Sequence, residues 1–170
     1  MVMKRNDRMA RLLAEFPAGE LTDDDVPPVF REVVAGGWSY TPNGARVLNG
    51  LVPESAGSYF DLLQEETSIN GRGMIDYDLP VAESERTGPL LRRCLAYAFA
   101  CLVEAEREFG DQDVRSYLVL SLGGADDDLL TATVTFCTHH PNVAPYIRDI
   151  ENVRDAAVAE IALSDLGVWC

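Results

Sequence analysis

Residues 115–138 read RSYLVLSL, GGADDD, LLTATVTFCT, and this stretch decides the fold. In the first segment, Arg115–Leu122, apolar side chains fall on both faces of an extended chain, the pattern of a strand inside a sheet. In the third, Leu130, Ala132, Val134 and Phe136 alternate with Thr131, Thr133, Thr135 and Cys137, which predicts a strand over 129–138 with unlike faces. The segment between them, Gly123–Asp128, has the length of a loop joining an antiparallel hairpin.

Working outward, the spacing predicts a long helix over 88–109. Leu91, Cys94, Leu95, Ala98, Cys101, Leu102, Ala105 and Phe109 form its apolar stripe, Pro89 opens it and Gly110 closes it. A further strand is expected over 72–79, where Ile75, Tyr77 and Leu79 alternate with Met74, Asp76 and Asp78. Other helices are expected over 3–16, 27–35, 58–66 and 146–163, the last from Ile147, Ile150, Val153, Ala157, Val158 and Ile161. Gly36–Gly44 reads as loop with an Asn-Gly turn, and Asp25 as the cap of the helix at 27–35. Helices do not alternate regularly with strands, so a doubly wound parallel sheet is excluded. The expected class is α+β, one domain over 1–170, with an antiparallel sheet under the long helix.

The chain has 170 residues, 47% of them hydrophobic and 25% charged, as in ordinary globular domains. Its charge is the outlier, with 28 acids against 14 bases for a net −14. Such a chain lacks the basic footprint of a nucleic-acid binder and is repelled by anionic lipid, so neither partner is expected. Residues 1–16 do not read as a secretory signal, and the longest uncharged stretch, Leu129–Ile147, is too polar to span a membrane. Cys94 and Cys101 sit about 10.5 Å apart along a helix, too far for a disulfide. A reduced, cytoplasmic chain follows, and the preference for Arg over Lys suggests a bacterial one.

No motif carries a chemistry outright, and no cofactor or metal is implied. Cys137 and His139 share a strand face but lack further ligands, and His139 and His140 point opposite ways. The glycine pairs lack the Lys-Ser/Thr of a phosphate loop, and Ser55–Ser58 lacks the glycines of a nucleophile elbow. What remains is acidity. Asp76 and Asp78 on one strand face, the triplet Asp126, Asp127 and Asp128 on the hairpin loop, and an exposed Trp38 are the expected contacts to a basic protein partner. The expected function is an acidic partner-binding protein, of the immunity or antitoxin type that covers a basic surface of a toxin, rather than an enzyme. The alternative is a small-molecule binder or enzyme with a pocket between the long helix and the sheet, lined by Tyr77, Tyr117, Thr133, Thr135, Cys137 and His139. Self-association through the Thr-rich sheet face or through Trp38 is a third possibility.

Overall fold

In the computed structural model, which describes residues 3–122 and 129–168, the chain runs β1 (Lys4–Arg5), α1 (Asp7–Glu15), α2 (Pro28–Gly36), β2 (Trp38–Tyr40), β3 (Arg46–Leu48), α3 (Leu62–Asn70), β4 (Arg72–Gly73), α4 (Glu83–Phe109), β5 (Val114–Leu122), β6 (Leu130–Thr138) and β7 (Ala157–Ile161). Short 3₁₀ helices lie at Asp23–Asp25, Asn49–Leu51, Ile150–Asn152 and Leu163–Val168. The antiparallel sheet has the order β1-β7-β5-β6-β4, and β2 and β3 form a separate ribbon. The α+β class, the antiparallel sheet and the long helix are as expected.

The hairpin pairs in register from Val114 opposite Thr138 to Leu122 opposite Leu130. Its inner face, with Leu118, Leu120, Val134 and Phe136, packs under α4. The opposite face carries a second, smaller core of Tyr117, Cys137 and Val158, closed by Ile150 and Ala156 from the segment before β7. Asn6 ties this segment down. Its Nδ2 donates to the carbonyls of Val153 (3.1 Å) and Ala156 (2.8 Å), while its Oδ1 accepts from the N–H of Val158 (3.1 Å) and, as the α1 cap, of Met9 (3.0 Å).

The expected helix over 146–163 does not form. Its place is taken by a 3₁₀ turn and by β7, which pairs with β5 from Ser116 opposite Ile161 to Leu120 opposite Ala157. Helical spacing of the apolar residues and alanine-rich composition favour a helix locally, but β5 needs a second neighbour and the tertiary pairing prevails. The strand expected over 72–79 shrinks to two residues. Beyond Met74 the chain turns, with the Leu79 N–H donating to the Asp76 carbonyl at 3.0 Å, because arginines of α4 capture Asp76 and Asp78. The helix expected over 58–66 runs Leu62–Asn70, since Asp61 is its cap, accepting from the Gln64 N–H at 2.8 Å. α1 starts at Asp7 behind the Asn6 cap, leaving Lys4–Arg5 to pair with β7. α4 starts at Glu83, a turn and a half early, with Pro89 inside it. The expected loop over Gly36–Gly44 contains β2, and its Asn-Gly turn joins β2 to β3, with Gly44 at φ 90°. Asp25 caps its own 3₁₀ turn through the Thr22 N–H at 2.7 Å, not α2.

The outer edge of β6 is covered residue by alternate residue. The Leu130 carbonyl accepts from Arg86 Nε (2.7 Å), the Ala132 carbonyl from the Met74 N–H (2.8 Å), and Val134 lies opposite Arg72. The Phe136 carbonyl accepts from Asn70 Nδ2 (3.3 Å), and the Thr138 N–H donates to Glu66 (2.6 Å). Glu66 and Asn70, four apart on α3, also hold β3. Glu66 accepts from the Arg46 N–H (2.9 Å), and Asn70 Oδ1 accepts from the Leu48 N–H (3.0 Å). Both side chains are buried, and leaving one such group unpaired costs about 1–3 kcal/mol.

Candidate functional site

Two arginines seven residues apart on α4 build the most distinctive surface of the molecule. Residues seven apart return to one helix face. Arg86 is 1% exposed, and its Nη1 donates to the carbonyls of Asp76 and Pro80, both at 3.2 Å. Its Nη2 lies 2.5 Å from the Asp76 carboxylate as an ion pair. Arg93 Nη1 donates to the Ile75 carbonyl and to Asp78, both at 2.8 Å, and Nη2 donates to the other Asp78 oxygen at 2.6 Å. The segment 74–82 is thereby held at both ends of its turn. It presents Tyr77 at 88% exposure and Val81 at 78%.

Opposite this segment stand the 3₁₀ turn Asp23–Asp25 and the start of α2. Between them lies an open groove of about 390 Å³, walled by Asp24, Asp25, Pro27, Val29, Tyr77, Asp78 and Arg93 among others. Three carboxylates and one guanidinium line it. The Arg93 guanidinium beside Asp78 holds its carboxyl down to about 2. The Arg92 guanidinium, bidentate at 2.7 and 2.8 Å, likewise lowers Asp25. Both acids are therefore ionised at neutral pH, and both are already paired. The Asp24 side chain is 97% exposed and only 3.9 Å from Arg31, so its charge is the one most open to a partner.

The expected contact residues are thus rearranged. Asp76 and Asp78 lie on a turn rather than a strand face, and Asp78 is brought together with the triplet at 23–25. Asp126, Asp127 and Asp128 lie outside the described residues. The expectation of an exposed Trp38 is corrected. It is 4% exposed, its Nε1 donates to the Cys101 carbonyl at 2.9 Å, and its ring meets those of Phe109 and Phe136 edge-on. The β2–β3 ribbon folds it onto α4.

The six residues of the alternative pocket do not line one cavity. Tyr77 belongs to the groove above. Thr133 is exposed on the outer sheet face, and Thr135 is buried there beside Gly71. Tyr117, Cys137 and His139 surround a cavity of about 10 Å³, room for about one water. Burial pushes the Cys137 thiol up to about 12 and raises Cys94 and Cys101 as well, so these thiols stay protonated at neutral pH and are poor nucleophiles or metal ligands. Tyr117 donates to Glu160 at 3.0 Å, with Lys4 3.7 Å from the same carboxylate, and the Tyr146 ring covers it. No group of three or more His, Cys, Asp or Glu side chains that could hold a metal occurs among the described residues.

Sequence reasoning missed Arg86, Arg93 and Asn6. A signal existed for the arginines: two acids two apart, Asp76 and Asp78, precede two arginines on one helix face. No protein-family model matches the chain, and no curated protein or solved structure matches it. No described helix is long and apolar enough to cross a membrane.

Proposed function

We propose that this chain is a cytoplasmic partner-binding protein that receives a cationic segment of another protein in the groove between residues 24–29 and 74–78. An inhibitor of the immunity or antitoxin type, covering the basic surface of a toxin, is the form of this function that fits best. One observation carries the reading: Tyr77, 88% exposed, stands on a turn immobilised by Arg86 and Arg93 beside the carboxylates of Asp24 and Asp78. An exposed aromatic ring on an anchored turn supplies contact area with few rotatable bonds to order, and its face with nearby carboxylates suits a lysine or arginine side chain. The net charge of −14 adds long-range steering of a basic partner. The alternative of a pocket between the long helix and the sheet gains no support, because that interface is filled by Leu91, Leu95, Tyr97, Leu118 and Phe136.

The test is a photo-crosslinking residue at position 77, and at Glu15 as a control, expressed in native cells. The expected product is a single adduct with a basic protein at position 77 only, weakened by 500 mM salt and by Asp24→Asn. Adducts equal at both positions, or with acidic proteins, would overturn the reading.

A further inference from the structure

The stretch Cys94–Val103, CLAYAFACLV, contains no charged side chain and a single hydroxyl, that of Tyr97, so α4 is largely apolar around its circumference there. A helix of that kind has to be covered on every side. The sheet covers one side. On the other, α2, the turn at Asp23–Asp25 and the 3₁₀ helix at Leu163–Val168 close in, but a groove of about 520 Å³ stays open between them. Its floor is Ala96, Phe99, Ala100 and Val103, and Val34 and Leu166 form its sides. That volume falls in the range of small-molecule sites, and the walls are mostly apolar, as such sites require.

The rim identifies the chemistry of the occupant. It carries two acids, Asp23 and Glu104, and two bases, Arg31 and Arg107. Arg107 is 2.5 Å from Glu104, and Arg31 is 3.9 Å from Asp24. In a chain of net −14 this patch is locally balanced. An anionic ligand would face Asp23 and Glu104, and a cationic one Arg31 and Arg107. Either would also be stripped of water over an apolar floor, which carries a solvation cost. The shape argues against a second copy, since two concave grooves do not fill each other across a two-fold axis. We infer that this groove is a binding site for an uncharged, hydrocarbon-rich small molecule. It lies across the Asp23–Val26 turn from the acidic groove at Tyr77, with Val26 contributing to both.

The experiment uses the full chain and the neutral dye N-phenyl-1-naphthylamine, whose fluorescence rises on burial. A saturable 1:1 signal is expected, displaced by 1-decanol at concentrations at least ten-fold lower than by decanoate or decyltrimethylammonium. Ala100→Phe fills the floor and should weaken the dye at least ten-fold. Ala35→Phe, from the exposed side of α2, does the same from the opposite wall should the first variant fold poorly. Tyr77→Ala should leave dye binding unchanged, which separates this site from the proposed partner groove. The inference fails if no saturable binding is found, or if a charged competitor matches decanol. It also fails if folded groove-filling variants bind as wild type does, or if sedimentation shows a dimer that they dissociate.

Discussion

Replacing Arg86 by methionine tests the construction of the candidate site most directly. The substitution keeps the apolar stem and removes a guanidinium that is 98% out of solvent. Asp76 loses its ion-pair partner, and the carbonyls of Leu130, Asp76 and Pro80 lose a donor. Removing one member of a buried pair costs about 3–5 kcal/mol. Asp76 retains 22% of its side-chain exposure and can recover water, which places the loss at the lower end, about 3 kcal/mol. With a urea m-value of about 2 kcal/mol/M, the midpoint should fall by about 1.5 M. Circular dichroism of wild type and variant in urea measures it, and adding Asp76→Asn alone and combined with Arg86→Met gives the coupling, expected at about 1–3 kcal/mol. Faster hydrogen exchange should be confined at first to residues 74–82 and the start of β6. A midpoint shift below about 0.5 M, about 1 kcal/mol on the same m-value, would refute the idea that this arginine holds the turn.

Three further outcomes are expected. The Asp78 carboxyl should titrate near 2 by NMR and return toward about 3.9 in Arg93→Ala. Because its folded pKa is depressed, its contribution to stability is present above about pH 4 and lost as pH falls through 2; a midpoint unmoved by the substitution would contradict the pairing. Asn6→Ala removes four hydrogen bonds, one of them the α1 cap, and should cost about 3 kcal/mol by thermal or urea melting; a loss under 1 kcal/mol would show that the segment before β7 is held elsewhere. Cys137, 3% exposed with its thiol pushed to about 12, should resist iodoacetamide in the native protein and react at the opening rate of the 139–156 segment, faster in Asn6→Ala; immediate alkylation read by peptide mass spectrometry would contradict its burial.

The sheet's centre was readable because β5 and β6 state their own environment: apolar on both faces in one, alternating in the other. The reading of β5 as a central strand already implied a neighbour on its far side. Its identity was hidden because AVAEI at 157–161 has composition and spacing that suit a helix equally well, and only the pairing with β5 decides between them. The candidate site was half visible. Asp76 and Asp78 stood out as a pair, but alternation placed them on a strand, since nothing local in 74–79 shows that arginines 10 and 15 residues later will seize them. Trp38 was misjudged for a related reason. Its burial depends on a carbonyl 63 residues away, at Cys101.

The side-chain covering of β6 also bears on how the protein fails. The segment Ala132–Phe136, ATVTF, is rich in β-branched and aromatic residues and carries no charge, a composition prone to cross-strand stacking between molecules. The outer hydrogen-bonding groups along β6 are occupied by Arg86 at Leu130, Asn70 at Phe136, Glu66 at Thr138 and a two-residue strand between, not by a full neighbouring strand. Loosening α3 or the 74–82 turn would therefore bare a sticky template before the molecule as a whole unfolds. Variants at Glu66 or Asn70 should accordingly be lost from solution as thioflavin-positive aggregates at denaturant concentrations where the long helix is still intact.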